Sequence, residues 1–258
     1  MKIKKFFYIK NGFLIIKSNS IKILKKNIEK EILDILKKIL NLKGLKFHVP
    51  KNNYVGLMKY ALKNDKKYSI FSSLYDLLPA STLINSLGSN KFFIKISKEL
   101  GIKKPLIGSL PQVRIDRPKD KIRKTLLHQD YWYSFLSDNA LTFWFSIGMI
   151  NKKLGPLSIY PSTHLKGIYN FKDKNAGTLS AETKEKNLKK KKIILKDNEI
   201  LVFHQKLLHA SSDNIYNIPR VSVQIRYNDL YKLNKPQNSF RSVLSEFVKN
   251  EQKKFLIK

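Results

Sequence analysis

The hydrophobic period changes near residue 106, and that change limits the fold more than any other feature of the chain. Before it, apolar residues recur at helical spacing. Ile21, Leu24, Ile28, Ile32, Leu36, Ile39 and Leu40 line one face of a segment that Ser20 can cap and that Gly44 ends just past Leu42. Shorter helices are predicted at 71–78, 80–87 and 91–100, each bounded by Gly, Pro or Asn. Ahead of the long helix, the apolar run 12–16 reads as a strand. From 106 to about 229 the chain instead breaks into β-type runs at 112–115, 141–147, 157–160, 193–195, 200–203 and 221–227. Short strands with long connections suggest an antiparallel sandwich or jelly roll. The amphipathic stretch 243–255 predicts a closing helix. The expected organisation is one domain over 1–258: helical support at 1–105 packed on a mainly β core at 106–230, and a C-terminal helix within 239–258.

Composition narrows the chemistry. With 42% apolar residues, 15 Phe and 12 Tyr, the chain can fill a substantial core and is not a disordered protein. It has no cysteine, so disulfides, thiolate zinc sites, iron–sulfur clusters and cysteine nucleophiles are excluded. Any metal must sit on His, Asp, Glu or backbone oxygen. The apolar run 6–16 is interrupted by Lys10, Asn11 and Gly12 and lacks a small-residue cleavage site. No stretch approaches the ~20 apolar residues of a membrane helix. A soluble, cytoplasmic protein is expected. The net charge of +32 invites a nucleic-acid reading, but only six of the 51 basic residues are Arg. Nucleic-acid readers lean on Arg for bidentate contacts, and a Lys-, Ile- and Asn-rich chain equally reflects AT-rich codon usage. The charge still favours anionic small molecules through long-range attraction.

The five histidines can be weighed singly. His48 precedes a Val-Pro turn and has no evident role. His128 and Asp130 are two apart, so in an extended chain they project to the same face and can offer an imidazole and a carboxylate to one ion. One distant histidine would complete a two-His, one-carboxylate face with positions left open, which suits iron(II) binding a bidentate cosubstrate and O2. Spacing leaves the third ligand open among His164, His204 and His209. Arg220, eleven residues beyond His209, opens a strand from which it could hold the far carboxylate of a dicarboxylate with a forked pair of hydrogen bonds.

An ordered set of motifs goes further: Leu127-His-Gln-Asp-Tyr131, then Trp144 within Leu-Thr-Phe-Trp-Phe-Ser-Ile, then Gly155-Pro-Leu-Ser-Ile-Tyr-Pro-Ser-Thr-His164, then Leu201-Val-Phe-His-Gln-Lys-Leu-Leu-His209-Ala-Ser211, Asn214 and Arg220. Together they resemble the phytanoyl-CoA dioxygenase family of iron- and 2-oxoglutarate-dependent oxygenases. Residues 11–16 ahead of a helix also resemble that family's opening. The likeness covers 127–227 well; 17–108 matches only in helical character.

The resemblance implies a double-stranded β-helix (jelly roll, cupin-like) core that uses iron(II), 2-oxoglutarate and O2. It implies His128, Asp130 and His209 as iron ligands, with His204 at the family's strand-end histidine, which is not a ligand. Arg220 becomes the anchor of the distal carboxylate, helped by Ser211 and Ser222, with Gln129 and Trp144 lining the cosubstrate pocket. His164 and Tyr131 become candidates for substrate contact. Two departures touch loops: the family's Pro-Gly-Ser/Thr-His turn is Pro161-Ser-Thr-His164 here, and its Gly-Asp is Asn198-Glu199. Asp130 is present, which argues against a halogenase. The implied reaction hydroxylates an unactivated C–H bond of a small substrate and releases succinate and CO2. Two rivals stand beside this reading. One is a nucleic-acid demethylase of the same superfamily, for which Arg220 and Arg226 have the spacing. The other is a catalytically silent jelly-roll binding module. Substrate identity and oligomeric state are not legible in the sequence.

Overall fold

Side chains alternate along extended strands, and here that alternation gives one large sheet two unlike faces. The structure, a computed structural model, describes residues 4–48, 53–120, 124–132, 137–148, 151–173, 179–183 and 188–233; the helix expected at 243–255 lies outside them. The strands are β1 (Phe13–Lys17), β2 (Pro105–Asp116), β3 (Ala140–Ile147), β4 (Leu157–Ile159), β5 (Phe171–Asp173), β6 (Leu179–Ala181), β7 (Lys191–Ile193), β8 (Glu199–His204), β9 (His209–Ser211) and β10 (Arg220–Asp229). They form an antiparallel five-stranded sheet in the order β1-β8-β3-β10-β2, a three-stranded sheet β7-β4-β9 and a β5-β6 hairpin.

The helices are α1 (Lys5–Asn11), α2 (Asn19–Leu42), α3 (Tyr54–Asn64), α4 (Ser69–Leu77), α5 (Thr82–Ser86) and α6 (Lys91–Glu99). They cover one face of the large sheet. Leu141, Phe143, Phe145 and Ile147 of β3 and Val221, Val223, Ile225 and Tyr227 of β10 are all buried on that side. Phe93 of α6 packs its ring 5.0 Å from that of Phe143 and stacks 6.3 Å from Phe145. Burying each such large apolar side chain contributes roughly 1.5–3 kcal/mol.

α2 buries the expected stripe, Ile21, Ile28, Ile32, Leu36, Ile39 and Leu40, and also Lys25. The ammonium of Lys25 donates to the carbonyls of Lys196 and Glu199, at 3.3 and 2.7 Å, tying the helix to the start of β8. The helix starts after Ser18, not Ser20, and Gly44 at φ +68° turns the chain at its end. α1 and α3 were not legible as helices, and β2 begins at Pro105, seven residues before the expected run. Pro105, Gly108 and Pro111 hid it, yet β2 is an edge strand, where a missing N–H leaves no ladder bond unmade. Among the described residues no helix is long and apolar enough to cross a membrane.

Candidate metal centre

The second face of the large sheet, turned towards the three-stranded sheet, is polar. Thr142, Trp144 and Ser146 of β3 pair with Arg226, Gln224 and Ser222 of β10, and paired residues share a face. Against this surface stand two histidines on neighbouring segments. The backbones of His128 and His209 exchange both hydrogen bonds, N–H to O at 2.9 and 3.0 Å, which sets the rings 4.0 Å apart. Asp130 is not in extended chain, as the sequence argument assumed; it opens a 3-10 turn, Asp130–Trp132. The turn still brings its carboxylate to the imidazoles. Asp130 Oδ1 lies 3.6 Å from His128 Nε2 and 3.7 Å from His209 Nε2, and the three ligand atoms lie within 4.8 Å of one another.

The ring orientations are fixed from behind. His128 Nδ1 donates to the Leu126 carbonyl at 2.9 Å and His209 Nδ1 donates to the Leu207 carbonyl at 3.0 Å. A carbonyl can only accept, so each Nδ1 carries the proton and each Nε2 turns a lone pair inward. Burial, with the neighbouring His128, pushes His209 down to about 3, so its ring is neutral at physiological pH, as a metal ligand must be. Burial alone would raise the Asp130 carboxyl. The Arg226 guanidinium and the two histidines outweigh it and hold the group well below the usual carboxylate range. Thr142 Oγ1 donates to Asp130 Oδ2 at 2.6 Å, and Arg226 forks onto both oxygens at 3.2 Å. Two imidazoles that turn Nε2 inward and one ionised carboxylate, buried and converging, fit a divalent iron better than calcium or magnesium, which favour all-oxygen shells.

Farther along the same face lies Arg220, 3% exposed. Its Nε and Nη2 donate to Asp116 Oδ2 at 3.1 and 2.5 Å, and Nη2 also reaches Ser211 Oγ at 3.3 Å. Burial would raise the Asp116 carboxyl, but Arg220 and Arg114 hold it below its ordinary value. Arg220 Nη1 and Ser222 Oγ are buried and find no partner among the described residues. Such atoms suit an anionic ligand.

The other sequence candidates fall in different places. Trp144 is buried on the polar face between Leu201 and Gln224. Gln129, expected at the cosubstrate pocket, gives both amide donors to the carbonyls of Gly167 and Lys206 and accepts from Tyr169 N–H, so it ties three segments together. His164 turns away from the cluster and donates through Nε2 to the Ile9 carbonyl at 2.9 Å. There it packs against Gly12, where a Cβ would sit 2.4 Å from the ring. Tyr131 lies beside the cluster with Lys206 Nζ 4.9 Å from its ring centre. His204, which spacing could not separate from His209, lies with its ring 5.3 Å from that of His164 and tilted 45° to it, and accepts from Lys206 N–H. Ser162, in the place of the lost glycine, keeps a left-handed backbone at φ +65° and donates through Oγ to the Lys10 carbonyl. Sequence reasoning missed Thr142 and Asp116 and gave Arg226 a role only in a rival. The parity of Arg220 and Arg226, both even on one strand, was the available signal.

The fold is a double-stranded β-helix, and the cluster is a candidate two-His, one-carboxylate metal site within it. Residues 112–222 match the family model described as phytanoyl-CoA dioxygenase (PhyH), the family that the motifs resemble. No curated protein matches the chain. Among solved structures, the epimerase SnoN, in complex with Fe3+, alpha ketoglutarate and nogalamycin RO, is similar at TM-score 0.56 and 16% identity, over 90% of this chain and 84% of that one. EctD from S. alaskensis with 2-oxoglutarate and 5-hydroxyectoine matches at TM-score 0.55 and 16% identity, over 90% and 78%. The non-heme monooxygenase ThoJ matches at TM-score 0.57 and 13% identity, over 87% and 76%. At such identities the likeness establishes the fold alone, and these relatives run different reactions on it.

Proposed function

We propose that this protein is an iron(II)- and 2-oxoglutarate-dependent dioxygenase that hydroxylates an unactivated C–H bond of a small anionic substrate. The observation that carries the reading is the convergence of His128 Nε2, His209 Nε2 and Asp130 Oδ1, with both Nδ1 protons already committed to backbone carbonyls. His128, Asp130 and His209 would hold the iron, and Arg220 would anchor the far carboxylate of 2-oxoglutarate with its unpartnered Nη1 and the hydroxyl of Ser222. Iron(II) with this cosubstrate and O2 supplies the power to oxidise an unactivated C–H bond, giving succinate and CO2.

What the chain itself contributes is placement. Thr142 and Arg226 keep Asp130 ionised and oriented, and the carbonyls of Leu126 and Leu207 hold both imidazoles with Nε2 aimed inward. Buried Trp144, Leu201 and Phe203 line the same face and exclude water from the reacting atoms. The surface charge of +32 draws anionic molecules towards the pocket.

The test is turnover. Wild-type protein with iron(II), 2-oxoglutarate and air should release succinate slowly, and His209→Ala should release none. A panel of acidic small molecules should include one that accelerates release. Acceleration by methylated oligonucleotides alone would select the demethylase, towards which the Arg220 and Arg226 spacing leans. No succinate from folded wild-type protein would leave the silent binding module.

A further inference from the structure

The polar face carries more around Arg220 than one arginine requires. On β10, Arg220 lies opposite Asp116 of β2, and Ser222, the next residue on that face, sits between Arg114 of β2 and Ser146 of β3. Asp116 therefore stands between two guanidinium groups. Its Oδ2 takes Nε and Nη2 of Arg220, and its Oδ1 takes Nη2 of Arg114 at 3.3 Å. What is left over is specific. Arg220 Nη1, Ser222 Oγ and Ser146 Oγ are all buried without a partner among the described residues, on side chains 3%, 0% and 2% exposed. An unsatisfied buried polar group costs roughly 1–3 kcal/mol, so three side by side mark a place built for a ligand.

We infer that Asp116 and Ser146 decide which anion this pocket accepts: one singly charged carboxylate end, gripped by Arg220 Nη1 and the hydroxyls of Ser146 and Ser222, in preference to phosphate-like dianions. The inference rests on the cosubstrate reading of the pocket, to which Arg220 and Ser222 already belong; Asp116 and Ser146 are what it adds. The charge count gives the reason. Asp116 offsets part of the guanidinium charge beside it, so a singly charged carboxylate is matched better than a dianion. Asp116 also occupies the Nε–Nη2 edge of Arg220, the edge that would otherwise fork onto a second pair of oxygens. A carboxylate fits the three remaining donors, whereas a tetrahedral dianion would bring one oxygen too many and one charge too many into a dry site.

Anaerobic calorimetry on the metal-loaded protein tests this, with 2-oxoglutarate as ligand and inorganic phosphate as competitor. Wild type should bind 2-oxoglutarate and ignore phosphate. Asp116→Asn should bind 2-oxoglutarate about tenfold tighter and become sensitive to phosphate. Ser146→Ala should bind about tenfold weaker. If circular dichroism shows that Asp116→Asn does not fold, Arg114→Gln carries the same question. It lowers the pocket's charge while the Asp116–Arg220 pair stays in place, and it should weaken 2-oxoglutarate about tenfold. Unchanged or weaker binding in folded Asp116→Asn, with phosphate still ignored, overturns the role of Asp116. Unchanged binding in Ser146→Ala overturns that of Ser146. Wild-type binding that Arg220→Ala abolishes keeps the cosubstrate reading alive in either case, whereas no wild-type binding at all sinks that reading and this inference with it.

Discussion

The two faces of the five-stranded sheet come from the same strands, residue by residue. Odd positions of β3 and β10, among them Phe143, Phe145, Val223 and Tyr227, meet the helices and leave almost nothing unsatisfied. Even positions, among them Thr142, Ser146, Arg220 and Ser222, are as deeply placed, with Arg226 partly buried beside them, yet they carry ion pairs, forks and orphaned hydroxyls. One face closes a core by area. The other holds polar groups in positions that burial alone would not favour, which the chain tolerates because ligands can complete them. Stability and chemistry are thus divided between the two sides of one sheet, and substitutions should fall into two classes accordingly.

The largest effect belongs to the apolar face. Phe143→Ala should cost about 3–5 kcal/mol of stability, read as a lower denaturant midpoint, while the folded fraction keeps its iron(II) affinity. A variant that lost metal and kept its midpoint would erase the division. On the polar face, Thr142→Val removes the hydroxyl that donates to Asp130 Oδ2 with little change of shape. Metal affinity should fall about 10–100-fold at nearly constant midpoint; undiminished affinity would mean that Arg226 alone orients the carboxylate.

His204 tests the seam between the faces. Burial, with His164 and Lys206 close by, pushes it down to about 3 in the folded protein, against about 6.5 in an unfolded chain. The unfolded state therefore takes up the proton first. This contribution is fully present above about pH 6.5 and is lost as pH falls towards 3, by at most about 1.4 kcal/mol per pH unit. His204→Phe should flatten that part of the stability profile of metal-free protein, and an unaltered slope would contradict the assignment. The smallest effect is expected at Ser162. Glycine there relieves about 1 kcal/mol of left-handed backbone strain and forfeits a hydrogen bond of similar worth. Ser162→Gly should leave the melting temperature nearly unchanged, and a large drop would show that the Oγ bond to Lys10 dominates the turn.

Period was the legible part. A 3.6-residue stripe gave α2, and short β-type runs between turn residues gave β3, β8 and β10, because burial on one or both faces writes itself into residue type. The start of β2 was hidden because Pro and Gly normally end strands, and only its position at a sheet edge permits them. α1 was hidden because Tyr8 alone on it is buried, so it has no stripe. In the site, His-x-Asp was visible as local chemistry, but the choice of His209 over His204 depended on which of them pairs with His128 across the barrel. The fork of Arg226 on Asp130 joins residues 96 apart in sequence, and the claim of Asp116 on Arg220 joins residues 104 apart. No local pattern encodes such contacts; they follow from register.

The central claim is that His128, Asp130 and His209 form an iron centre that presents open positions to 2-oxoglutarate. Anaerobic titration of metal-free protein with iron(II) and then 2-oxoglutarate, watching for the weak visible charge-transfer band of the chelate, addresses it most directly. The band should appear in wild type, vanish in His209→Ala and require far more 2-oxoglutarate in Arg220→Ala. A wild-type protein that shows no band at saturating iron and cosubstrate, or a His209→Ala variant that shows it undiminished, would contradict the account.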